Sequence, residues 1–188
     1  MNLNLKDSAR IKQSSKVWIE AGYRCFAASG PSSPKVEVLA RLVNKSKSSF
    51  YHHFADLEIF IDQLLNHHFQ QAQVIAVREQ NCQNLIPELV NILVDVKTDL
   101  LFSRQLRVHR ANPQYEACFQ KTSQLVMGPF MEVWASDIGL ADKPFLADQF
   151  FDLASENFYL QITEEKLNYE WLVTYFKDLK RMVQDFQR

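Results

Sequence analysis

The run at positions 46–54, Ser-Lys-Ser-Ser-Phe-Tyr-His-His-Phe, constrains the fold of this 188-residue chain more than any other feature. Phe50 and Phe54 are four residues apart and therefore share one face of a helix, while the other sides are polar and mildly basic. Ser46 is a residue type that caps helix N-termini. Apolar residues at helical spacing over positions 36–43 precede the run. Two short helices joined by a tight turn, the second polar and basic, are typical of a DNA-binding helix-turn-helix.

Residues 18–58 match one known pattern without a gap. The matching residues are Gly22, Phe26, Gly30, Val36, Leu39, Ala40, Ser46, Ser49, Phe50, Tyr51, His53, Phe54 and Glu58. Through them the chain resembles the TetR family of transcriptional regulators. Asn44 stands in the turn where that family usually has Gly, and Asn accepts the left-handed conformation that such a turn requires. Leu57 stands where a Lys is usual.

The resemblance implies an all-α fold of about nine helices in two domains. Residues 1–56 are expected to form a three-helix helix-turn-helix domain, and residues 57–188 a larger helical domain that binds an effector and dimerises. The implied function is a repressor that binds a palindromic operator as a homodimer and responds to an unknown small molecule. The runner-up hypothesis is a helical enzyme or small-molecule carrier that does not bind DNA.

Residue patterns independently favour helices. The chain has only four glycines and no clean alternation of apolar and polar residues, so strands and tight hairpins are not expected. Gly30-Pro31 predicts the end of the first helix, and Ser33-Pro34 the start of the second. A continuous helix is expected over 86–101, and Asn168 is expected to cap the last one. Gly22 lies inside the first helix, where its cost predicts close approach of another helix.

Charge is divided unevenly along the chain. Residues 1–56 contain nine Lys and Arg and four acidic residues, a net charge of +5, whereas the remaining residues carry −6. A basic segment joined to an acidic one is typical of a polyanion-binding module attached to a separate body. We find no apolar run long enough for a membrane span and no secretory signal, which predicts a cytoplasmic protein without a membrane partner.

The predicted partner of the basic segment is double-stranded DNA. Lys47, Ser48 and His52 are expected to reach base edges, and the resemblance implies that Tyr51 and His53 lie against phosphates. The full set of candidate DNA contacts is Lys35, Lys45, Ser46, Lys47, Ser48, Ser49, Tyr51, His52 and His53. The competing interpretation is a surface helix of an all-helical enzyme.

An effector cavity is predicted among the helices between Asp56 and Trp134. Its candidate lining is aromatic, apolar and basic, namely Phe102, Arg104, Arg107, Phe119, Met127, Phe130, Trp134 and Phe158. Plain core packing explains the apolar members equally well. The arginines either receive an acidic effector or, as we favour, form a solvated stripe paired with acids. For His67 and His68 we favour a solvated position over a pocket or a metal site.

The last two long helices are unusually aromatic, which predicts a second apolar surface and a homodimer interface. Its candidate residues are Phe150, Phe151, Trp171, Tyr175 and Phe176. Three widely spaced cysteines and two pairs of adjacent histidines do not form a metal-ligand pattern, so no metal is expected. We find no nucleophile elbow, Gly-rich phosphate loop or HExxH motif, so neither catalysis nor a cofactor is expected.

Overall fold

The computed structural model of the protein describes the backbone of residues 3–186 and the side chains of residues 14–186. Within residues 3–186 it contains nine α-helices and no strand, which confirms the all-α class. The helices are α1 (Leu3–Ser29), α2 (Val36–Leu42), α3 (Lys47–Tyr51), α4 (Leu57–Glu79), α5 (Val90–Asp95), α6 (Lys97–Val108), α7 (Pro113–Ile138), α8 (Pro144–Gln161) and α9 (Tyr169–Phe186).

Several helix boundaries follow from local residue chemistry. Gly30 ends α1 with a φ of +81°, which glycine adopts without steric cost. The side chain of Asp56 caps α4 by accepting from the Ile59 amide at 2.8 Å. Asn168 caps α9 in the same way, as predicted, since its Oδ1 accepts from the Trp171 amide at 3.0 Å.

The predicted start of the second helix is wrong. Lys35, not Ser33, occupies the N-cap position of α2 and makes no side-chain cap. The Ser33 hydroxyl instead lies 2.7 Å from the carbonyl oxygen of Cys25 and 2.6 Å from that of Gly30. Ser33 therefore stabilises the turn after α1 and does not cap α2.

The predicted continuous helix over 86–101 is also wrong. A single helical turn at Leu85–Leu89, in which Ile86 is extended, leads into the short α5. Val96 then separates α5 from α6 with non-helical angles of φ −98° and ψ 25°. The apolar periodicity continues through both interruptions, which is why the pattern alone did not reveal them.

The N-terminal helix is packed into the rest of the protein. α1 packs along α6 and also against α4. The close approach predicted at Gly22 is confirmed, because a Cβ added there would lie 2.4 Å from Cζ of Phe60 on α4. One apolar core extends from Trp18 on α1 to Val183 on α9. The division into domains 1–56 and 57–188 remains a prediction.

Candidate functional site

The two short helices α2 and α3 are joined by a turn over residues 43–46. Asn44 has a φ of +52°, the left-handed conformation predicted for this position. Ser46 caps α3 as predicted, since its Oγ accepts from the Ser49 amide at 3.2 Å. The turn thus sets the direction of α3 relative to α2.

Aromatic packing holds the apolar side of α3 to the protein. Phe50 is fully buried and meets the ring of Trp18 on α1 edge to face, with 5.4 Å between centroids. Phe54 is also buried and packs edge to face on Phe60 of α4 at 4.8 Å. Because the apolar side is anchored in this way, the polar side of α3 must face outward.

The predicted DNA contacts lie mostly on this outward side. Lys35, Lys45, Ser46, Lys47, Ser48, Tyr51 and His52 are exposed, and Ser49 is half-buried. Nζ of Lys47 lies 3.0 Å from Oε1 of Glu37 on α2, in an exposed ion pair. We call the exposed residues together with Ser49 the α3 surface.

His53 differs from the other predicted contacts. It is half-buried, and its Nε2 lies 3.1 Å from Oγ of Ser14 on α1. Burial, with smaller contributions from Lys45 and His52, lowers the pKa of His53. The contact between Nε2 of His53 and Oγ of Ser14 joins the end of α3 to α1.

A cavity of about 440 Å³ lies among α4, α5, α6, α7, α8 and α9. This volume falls within the range typical of small-molecule sites. Six of the eight predicted lining residues line it, namely Arg107, Phe119, Met127, Phe130, Trp134 and Phe158. The cavity extends beyond the predicted region, because α8 contributes more than Phe158 and α9 contributes as well.

The other two predicted lining residues lie elsewhere. Phe102 is fully buried and stacks on Tyr23 at 4.4 Å and on Phe26 at 4.3 Å, so it belongs to the core beneath α1. Arg104 donates from Nε to the carbonyl oxygen of Tyr159 at 3.1 Å. Neither side chain lines the cavity.

The favoured solvated position is wrong for His68. It is 2% exposed, it lines the cavity, and burial lowers its pKa to about 3, so the imidazole is neutral. Tyr23 donates its only proton to Oδ1 of Asp99 at 2.7 Å. Nδ1 of His68, 2.6 Å from the same tyrosine oxygen, must therefore be the donor of that bond. The bare Nε2 accepts from Oγ of Ser103 at 3.1 Å.

These four residues form a hydrogen-bonded chain that we call the Tyr23 network. Asp99, His68 and Ser103 also line the cavity, while Tyr23 belongs to α1. The network therefore joins the cavity wall on α4 and α6 to the helix that supports the α3 surface.

The most unusual cavity residue is Glu79, which the sequence interpretation missed. It is only 3% exposed, and its Oε2 has no hydrogen-bond partner. Burial raises its pKa to about 8, and the opposing effect of Arg78 is smaller. A signal was present in the sequence, because Glu79 continues the buried face of Ala72, Ile75 and Ala76 at helical spacing.

The predicted dimer residues mostly contact other residues of the same chain. Phe151, Tyr175 and Phe176 line the cavity, and Phe176 is only 5% exposed. Trp171 stacks on Tyr175 at 5.2 Å, and Phe150 packs against Phe186. The exposed apolar side chains of α8 and α9 are different residues, namely Phe145, Leu153, Leu160, Met182 and Phe186, with Tyr169 at the edge of exposure.

No α-helix in residues 3–186 is long and apolar enough to cross a membrane. Among the described side chains, no three His, Cys, Asp or Glu residues converge as a metal site.

In comparisons with known proteins, no protein-family model matches the chain and no curated protein matches it significantly. The resemblance to the TetR family therefore rests on the residues between positions 18 and 58.

Proposed function

We propose that this chain is a sequence-specific DNA-binding transcriptional regulator, a ligand-responsive repressor that acts as a homodimer in the cytoplasm. Residues 1–56 bind the major groove, and residues 57–188 sense a small molecule and dimerise. The observation that carries the proposal is the α3 surface, an exposed polar and basic face whose opposite side is anchored by Phe50 and Phe54. The net charge of +5 over residues 1–56 supports attraction to a polyanion.

The regulatory mechanism is a population shift between two arrangements of the dimer. Recognition helices must be about 34–36 Å apart to reach successive major grooves. A ligand that prefers a dimer with another spacing lowers its affinity for DNA. The Tyr23 network offers a physical link, because ligand contact with His68 or Asp99 changes the hydrogen bonds that hold α1.

The dimer is proposed to form through exposed apolar residues of α8 and α9. Leu153 and Leu160 are 71% and 78% exposed, and they are seven residues apart on α8, so they lie on one side of that helix. Closed two-fold homodimers are the commonest assembly of soluble oligomers.

The second candidate is a ligand carrier or helical enzyme that does not bind DNA. The cavity favours this alternative as much as it favours a regulator, because both require an apolar site for a small molecule. The two functions differ in the role of the α3 surface, which only the regulator uses.

Binding to duplex DNA at several salt concentrations separates the two candidates. We expect affinity for a mixed-sequence duplex to fall steeply with salt, and Lys47→Ala to weaken that binding. Tyr51→Ala should weaken binding while leaving the fold intact. Lys177→Ala, which removes an exposed lysine on α9, is the matched control and should bind as the parent does. Parental affinity in both α3 variants would reject the assigned surface.

A further inference from the structure

Glu79 lies at the end of α4 on the wall of the cavity. At 3% exposure its carboxyl group is almost entirely removed from solvent, and Oε2 accepts no hydrogen bond. Buried polar atoms in folded proteins nearly always have a partner, because leaving one unpaired costs the free energy of its desolvation. An unpaired carboxyl oxygen on a cavity wall therefore indicates a bound group that donates to it.

No cation of the described chain is paired with Glu79. Arg78, its neighbour in sequence, points to the surface, where its guanidinium lies 2.7 Å from Oδ2 of Asp95. Arg107 is the one guanidinium that lines the cavity, and it forms an ion pair with Glu156 of α8. Neither arginine therefore forms an ion pair with Glu79.

The charged groups of the cavity wall favour a positive ligand. The four carboxyl groups among its lining residues belong to Glu79, Asp99, Asp152 and Glu156, against the single guanidinium of Arg107. His68 adds no charge, because burial keeps its imidazole neutral. Arg104 and Arg107 were the candidates to receive an acidic effector. Arg107 instead pairs with Glu156, and Arg104 donates to the backbone carbonyl of Tyr159.

We propose that the cavity binds an organic cation, an amine with an aromatic or branched apolar body, and that the Glu79 carboxylate receives the N–H groups of its ammonium. This inference rests on the ligand-sensing role proposed for the cavity. The apolar body lies against aromatic wall residues such as Phe130, Trp134 and Phe158. A charge-assisted hydrogen bond in a site shielded from water is stronger than one between neutral groups.

The electrostatics of Glu79 are consistent with this assignment. Burial raises its pKa to about 8, because the opposing effect of Arg78 is smaller. An ammonium group beside the carboxyl supplies the missing positive charge and favours the ionised form. The ligand therefore supplies both a donor for the unpaired oxygen and a positive charge beside the ionised carboxylate.

The test uses the full chain and sets of probes that share an aromatic body and differ in the polar group and its charge. Benzylammonium, 1-naphthylmethylammonium and 9-anthracenylmethylammonium are titrated by calorimetry beside the corresponding neutral alcohols and carboxylates. We expect at least one amine of suitable size to bind about tenfold or more tightly than its alcohol, and the carboxylates to bind most weakly.

Glu79→Gln should bring the affinity of the amine down to that of the alcohol while leaving the alcohol unchanged. Glu132→Gln, at an exposed position of α7, is the matched control and should retain the preference for the amine. A thermal melt of each variant establishes that it is folded. The proposal is overturned if no amine binds at millimolar concentration, if amine and alcohol bind equally to the parent protein, or if the preference survives in folded Glu79→Gln.

Binding of the same protein to duplex DNA is then measured separately. Tight, Glu79-dependent binding of the amine by a protein that has no affinity for any duplex retains the cavity assignment and rejects the regulator. Binding to duplex DNA by a protein that binds no amine rejects the cavity assignment and retains the regulator. The two claims therefore fail separately.

Discussion

Replacing Glu79 with Gln should stabilise the protein, and the gain should grow with pH. The pKa of this carboxyl rises from 4.5 to about 8 on folding because it is buried. The folded state therefore holds the proton more tightly than the unfolded state does. The contribution of Glu79 to stability is greatest below pH 4.5 and is lost as pH rises towards 8, where the folded protein must carry a buried carboxylate. Gln keeps nearly the same shape and cannot ionise.

The magnitude follows from the pKa. Each pH unit between 4.5 and 8 costs the parent protein about 1.4 kcal/mol of unfolding free energy, so Glu79→Gln should gain about 3 kcal/mol at pH 7. The gain reaches an upper limit of about 5 kcal/mol above pH 8. The group is only 3% exposed, so screening by bulk solvent removes little of this effect, whereas water entering the cavity reduces it.

Urea denaturation followed by circular dichroism at pH 5, 6, 7 and 8 measures this difference. Comparing variant with parent cancels the titration of the other groups, including the neutral His68. Glu132→Gln is the control, and it should remain parallel to the parent at every pH because its side chain is exposed. A difference between Glu79→Gln and the parent that does not change with pH would refute the reasoning.

Three further predictions concern packing, the α3 surface and assembly. Gly22→Ala should destabilise the protein by about 1–2 kcal/mol in urea denaturation, because overpacking against the buried ring of Phe60 outweighs the better helix propensity of Ala. A stability equal to that of the parent would contradict the tight approach. Glu37→Gln should raise duplex affinity several-fold by releasing Lys47 and removing a negative charge, and unchanged affinity in a binding titration would separate this pair from the DNA contact. Leu153→Glu should yield a folded monomer in sedimentation, since the side chain is 71% exposed in the protomer, and a persistent dimer would place the interface elsewhere.

The parts of the fold that the sequence predicted are those decided by a few neighbouring residues. Asn44 adopts the left-handed conformation because Asn tolerates it better than most residues other than Gly, and Asn168 caps α9 through its own side chain. The interruption at Val96 was not predictable in this way. Its apolar side chain is buried beside Ile75 and Ile92 and fits the periodicity of a continuous helix, and no Gly or Pro marks the break.

The sequence predicted which part of the chain surrounds the cavity, but it predicted the individual lining residues less well. Periodicity identifies the buried side of a helix but not whether that side meets another helix or an open space. Phe102 meets α1, whereas Met127 and Phe130 on α7 meet the cavity. Glu79 was the clearest sequence signal for the cavity, because a carboxyl group on the apolar face of a helix is a candidate functional residue.

Selection of bound sequences from a random duplex library with the purified protein tests the central claim, DNA recognition, most directly. The account predicts enrichment of one palindromic sequence whose half-sites are separated by about one helical turn or a multiple of it. Lys47→Ala should alter the enriched bases, whereas Tyr51→Ala, at a phosphate contact, should lower the yield without altering them. A selected pool with the same sequence composition as the starting library would contradict the account.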